Sequence, residues 1–193
     1  MAPKVTALRA RRGGHVLVQI DGHDWRELPE DVIVRASLTP GTELDRPRLR
    51  EVARERRRAQ ALAAAGRTLS ARDLPARALD VRLERRGIRA ADRARALSTL
   101  QGAGLVDDGR FARNRALALA GRCLGDAAIR FDLEEYGVER ELVEEAVGGL
   151  EPETARAERI VASRGRSPAT ARFLARKGFG EAAVESAAGE VLG

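Results

Sequence analysis

The chain has 193 residues, with 35 basic against 29 acidic side chains and a formal net charge of +6. Its single cysteine, Cys123, excludes an intrachain disulfide and points to a reducing, cytoplasmic setting. No apolar run approaches the roughly 20 residues that cross a bilayer, and the first residues lack the apolar core of a secretory signal.

Val5 to Arg11 reads as a strand, and Arg12-Gly13-Gly14 as a turn. His15 to Ile20 is a β-branched run that ends on Asp21-Gly22, a strong hairpin signal. Trp25 to Leu28 forms a third short strand. Pro29 followed by two acids starts a helix over Glu30 to Ser37, which Thr39-Pro40-Gly41 ends. From Asp45 onward alanine is abundant, and Gly or Pro arrives about every 15 residues, the spacing of helical hairpins. The pattern predicts helices over Pro47–Ala65, Leu74–Arg86, Ala91–Gln101, Gly109–Ala120, Ala127–Tyr136, Arg140–Val147, Pro152–Ser163, Pro168–Lys177 and Glu181–Leu192. Asp73 is the expected cap of the second, because it leaves Pro75 in the first turn.

An internal repeat organises the helical part. Leu83-Glu84-Arg85-Arg86-Gly87-Ile88 is echoed at Leu133 to Val138 around Gly137, and again at Leu174 to Phe179 around Gly178. Each glycine falls where a helix would end in a left-handed cap, followed by an apolar residue that folds back. Nine residues after each glycine stands an alanine (Ala96, Ala146, Ala187), on one face of the following helix. The unit is three helices long and is used three times. The expected fold is mainly α: a β-rich head over residues 1–45, then an elongated, monomeric body over 46–193. Its repeats run over about 46–106, 107–150 and 151–193.

Charge is unevenly spread. Residues 61–104 hold nine Arg and four acids, whereas 105–150 hold six Arg and ten acids. Arg82, Arg85 and Arg86 share one helix face, as do Arg50, Arg54, Arg57 and Arg58 on the long first helix of the body. Two readings stay open: a solvated face rich in intrahelix ion pairs, or an electrostatic footprint for DNA phosphates or an acidic groove. The candidate contact residues are Arg54, Arg57, Arg58, Arg82, Arg85 and Arg86. With one Trp, one Tyr and four Phe in the chain, backbone attraction is favoured over base stacking.

Asp107 and Asp108 directly precede a helix, so one should cap its free N–H groups and the other meet its positive dipole end. No third ligand stands at metal spacing, and no catalytic or cofactor constellation is present; no metal, cofactor or enzymatic activity is expected. His15 and His23 read as surface residues, and Cys123 as a small packing residue.

The stretch Gly104-Leu105-Val106-Asp107-Asp108-Gly109-Arg110-Phe111-Ala112 resembles the RecX family, whose members carry a similar Asp-Asp/Phe-Ala motif between their first and second three-helix repeats. The Leu-x-x-x-Gly-hydrophobic endings look like theirs, as do Ile20-Asp21-Gly22 and Leu38 to Leu44 in the head. The resemblance covers nearly the whole chain. It implies a non-enzymatic modulator that binds the RecA filament on single-stranded DNA and limits its growth, in DNA repair and recombination. The alternative is a general Arg-rich helical DNA-binding module without a recombinase partner.

Overall fold

The computed structural model describes residues 2–188. Three antiparallel strands, β1 (Val5–Arg11), β2 (His15–Ile20) and β3 (His23–Pro29), form a sheet in the order β1-β2-β3. Helices α1 (Glu30–Arg35), α2 (Arg46–Leu69), α3 (Ala76–Arg85), α4 (Ala90–Gly102) and α5 (Asp108–Gly121) follow. Then come α6 (Asp126–Glu135), α7 (Arg140–Gly148), α8 (Glu153–Arg164), α9 (Pro168–Arg176) and α10 (Glu181–Ala188). The protein is thus mainly helical behind a small β-rich start, as the sequence predicts. The last expected helix, Glu181–Leu192, ends beyond the described residues.

The chain divides into two compact units. One comprises the chain up to Arg72 together with Arg82–Thr99; the other comprises Asp73–Val81 together with the chain from Leu100. In the first, the alternation of β2 turns Val18 inward onto Leu28, Val5, Val32 and Leu44, and α2 contributes Val52 to the same core. In the second, Phe111, Ile129, Leu133 and Val143 from α5, α6 and α7 form one core, and Ile160, Leu174 and Ala187 from α8, α9 and α10, with Phe179 between the last two helices, form another. Each fully buried Leu or Ile contributes on the order of 2 kcal/mol.

The three repeat glycines end their helices alike. Gly87, Gly137 and Gly178 have φ of 75, 77 and 78°. In each case the glycine N–H donates to the carbonyl three residues back, and the following apolar N–H donates to a buried leucine (Ile88 to Leu83, Val138 to Leu133, Phe179 to Leu174). This paired closure satisfies carbonyls the helix would otherwise leave bare. The same pair closes α1 at Ser37 (φ 48°), α4 at Gly104 (φ 67°) and α5 at Cys123 (φ 61°). Two expectations are corrected here. Cys123 is exposed rather than packed, because it fills the left-handed cap position that glycine takes elsewhere. The helix after the sheet stops at Arg35, because Ser37 takes the same conformation before Thr39-Pro40-Gly41 is reached. In addition, α2 runs past Gly66 to Leu69, since that glycine keeps helical geometry.

The caps differ in what surrounds them. A Cβ on Gly87 would meet nothing within 4 Å; on Gly137 it would overlap the flexible Arg77 side chain; on Gly178 it would lie 2.7 Å from the backbone N of Ala128. Gly87→Ala should therefore cost about 1 kcal/mol from the left-handed backbone alone. Gly178→Ala should cost about 2–3 kcal/mol, because overpacking adds to it. Cys123→Gly should stabilise by about 1 kcal/mol. Chemical denaturation of the three variants tests this order; equal costs at Gly87 and Gly178 would contradict it.

Candidate nucleic-acid interface

The longest helix, α2, starts where its sequence says it should: the Asp45 carboxylate accepts from Arg48 N at 2.8 Å, and Pro47 sits in the first turn. Arginines then recur around the helix, and the structure sorts them by partner. Arg54 Nε donates to Glu55 at 3.1 Å, and Arg58 stands 3.9 Å from the same carboxylate. Arg57 lies 3.6 Å from Asp92, which is buried and also takes Arg89 at 2.9 Å. The charge of the expected run on α2 is therefore partly offset by its neighbours, Glu55 being shared by Arg54 and Arg58, and Asp92 by Arg57 and Arg89. The acids of these pairs, Glu55 and Asp92, are buried, so the pairs lower the charge shown to a ligand and hold carboxylates that would otherwise be stranded.

At the end of α3, Arg85 is exposed and Arg82 half-buried, and Arg86, just past the helix, is exposed. Arg86 donates to the Ala64 carbonyl at 3.1 Å, whereas Arg82 and Arg85 make no ion pair among the described residues. The six candidates do not share one surface. Arg54 and Arg58 line an open cleft between α2 and α4 with Arg95, Ser98 and Thr99. Arg86 lines a different cleft, on the opposite face of α2, with Arg56, Arg67 and, from the sheet, Arg26. Those last three were not singled out from sequence. Arg56 and Arg67 are eleven apart, three turns along one face of α2, which is the signal that could have found them.

The Asp pair is structural in a way the sequence only half revealed. Asp107 caps α5, its carboxylate accepting from Arg110 N at 2.8 Å; that bond, first among its causes, holds the Asp107 pKa below the ordinary range. Asp108 stands in the first turn of α5, at the positive end of its dipole as expected, but its carboxylate does more than that. It reaches across to accept from Ala76 N at 2.8 Å, at the start of α3. Glu153, the first residue of α8, does the same for α6, accepting from Asp126 N at 2.6 Å and from Gly180 N at 2.9 Å. In both cases an acid at the start of one helix caps the helix two before it in the chain.

Beside this joint, the guanidinium of Arg156 donates to the carbonyls of Leu124 at 2.8 Å and Glu151 at 3.1 Å, pairs with Asp126, and lies over the Phe179 ring. Arg115 forks onto Asp132 at 2.7 and 2.8 Å, which raises its pKa, and stacks on Tyr136. Among the described residues no group of three His, Cys, Asp or Glu could hold a metal, and no helix is long and apolar enough to cross a membrane. His15 and His23 are exposed, each bonded to a backbone carbonyl two residues earlier.

No protein-family model matches the sequence, and no curated protein matches it by sequence. Solved structures do match. A crystal structure of regulatory protein RecX is similar over 95% of this chain and 97% of its own, with a TM-score of 0.82 and 21% identity. RecX from Lactobacillus salivarius is similar over 68% of this chain and 94% of its own, with a TM-score of 0.60 and 15% identity. The fold of this chain, β-rich start included, is accordingly the fold of solved RecX regulatory proteins.

Proposed function

We propose that this protein is a RecX-family regulator of the RecA system, one that binds the RecA–DNA filament and restrains its growth without catalysis of its own. The observation that carries the reading is the fold match over 95% of the chain, together with the Asp107-Asp108/Phe111-Ala112 motif at the start of α5. In this reading the head, residues 1–45, precedes a body of three repeats over 46–106, 107–150 and 151–193, whose faces lie along the filament. The protein acts as a cytoplasmic monomer and uses neither metal nor cofactor.

The test is a disassembly time course of RecA filaments on single-stranded DNA, with and without the protein. We expect net disassembly to accelerate at protein concentrations well below that of the recombinase, since blocking a growing end needs few molecules. An unchanged time course would overturn the proposal. A second reading, DNA binding without a recombinase partner, is supported by the unpaired Arg82 and Arg85. It predicts equal affinity for bare single-stranded DNA and for the preformed filament, where the first reading predicts preference for the filament.

A further inference from the structure

The three glycine-capped ends of α3, α6 and α9 are alike in backbone but not in surroundings. The Gly137 end is covered by Arg77 and the Gly178 end by the first turn of α6, where Gly125 N and Ala127 N donate to the carbonyls of Lys177 and Gly178. The Gly87 end has no neighbour within 4 Å of the position a Cβ would take. Its flanking residues, Arg86 and Ile88, line a cleft of about 850 Å³ between α2 and the strand hairpin. Within the repeat architecture this is an end of the kind that elsewhere carries a covering segment.

The cleft is built of two materials. Its apolar part includes Leu62, Ala63 and Ile88. Around it stand four guanidinium groups, those of Arg26, Arg56, Arg67 and Arg86. A carboxylate is the acceptor that a guanidinium fork matches best in a peptide. The rim also carries Glu27 and Asp31. A nucleic-acid strand, with a phosphate at every nucleotide, would meet those two carboxylates at close range, whereas a peptide can space its acids to avoid them. The apolar floor likewise suits side chains rather than a sugar–phosphate backbone.

We infer that this cleft is a docking site for an extended peptide segment that alternates acidic and apolar residues. The inference does not depend on the recombinase reading: the peptide would bind even if filament disassembly were unaffected. It is tested with a fluorescently labelled peptide of alternating Glu and Leu, its Gln-for-Glu counterpart, and a labelled oligothymidylate, titrated with the full chain. Two variants change exposed cleft residues: Arg67→Glu reverses a charge, and Ala63→Trp fills the floor without changing charge. We expect the Glu peptide to bind at least about tenfold more tightly than the Gln peptide, and each variant to weaken it by about tenfold or more. Ala63→Trp should leave oligothymidylate affinity unchanged. No binding of the Glu peptide up to about 1 mM would overturn the inference, as would binding that neither variant alters. If Ala63→Trp weakened the oligothymidylate more than the peptide, the occupant would be nucleic acid and the inference would also fall.

Discussion

Arg156→Ala is expected to destabilise the second unit by about 2–4 kcal/mol, somewhat below what removal of one partner from a fully buried ion pair costs, since the Asp126 carboxylate is partly hydrated. Arg156 is only 5% exposed, yet three acceptors converge on it: the Asp126 carboxylate and the carbonyls of Leu124 and Glu151. The substitution strands all three at once, and a nearby acid, Glu153, is already committed to Asp126 N and Gly180 N. Arg156→Lys keeps the charge, but a single ammonium group cannot reproduce the planar fork that reaches acceptors on both α6 and the α7–α8 turn, so it should recover less than half of the loss. Neutralising both ends in Arg156→Leu with Asp126→Ala should recover more than the lysine does, because the half-buried carboxylate left without its partner is then gone. Urea denaturation gives the order, and hydrogen exchange gives the place. Amides at the start of α6 and the end of α9 should lose protection before those of the α5–α7 core. A loss under 1 kcal/mol for Arg156→Ala would mean that water replaces the guanidinium freely.

The helices and the hairpin were legible because local chemistry decides them. Asp21-Gly22 forms the β2–β3 turn, Asp21 itself with φ 48°. The Leu-x-x-x-Gly-apolar endings state both hydrogen bonds of the cap within six residues. Cys123 and Ser37 occupy the same cap geometry without its sequence signature, and could be found only by noticing that an apolar residue follows each. Asp108 was readable as a capping acid but not as a cap for Ala76, since 32 residues of chain and a tertiary contact intervene. The candidate surface shows the same division. Spacing places Arg54 and Arg58 on one face of α2 and makes Glu55 a plausible neighbour, but the pairing of Arg57 with Asp92 depends on how α4 packs. The repeat that pointed to the fold says little about charge: where it places Ile88 after Gly87, Val138 and Phe179 follow the other two, while the residues before the glycines are Arg86, Tyr136 and Lys177.

Reversing Arg82, Arg85 and Arg86 to Glu together should weaken binding to DNA or to the filament by about 100-fold at low salt. It should also lower the slope of log affinity against log salt by about two units, since each single-strand phosphate contact contributes roughly 0.7. Arg82 and Arg85 have no intramolecular ion pair among the described residues, and Arg86 is held only to a backbone carbonyl, so little of the loss should come from unfolding. The acidic counterpart is the triple reversal of Glu141, Glu144 and Glu145 to Arg. Glu144 pairs with Arg130 at 3.1 Å and Glu145 with Arg113 at 3.3 Å, both exposed, so the cost to stability is small. If attraction to phosphate leads, this second triple binds at least as tightly as the unmodified chain. If contacts with basic patches on a protein partner lead, the ranking inverts: the acidic triple loses affinity for the filament, and the arginine triple loses little. The comparison has to be made over a salt series, because at one ionic strength a lost phosphate contact and a lost ion pair to protein look alike. Equal, unchanged binding by both triples would remove charge from the recognition altogether and move it to the uncharged faces of the repeats, where Phe131 on α6 and Leu117 on α5 stand exposed.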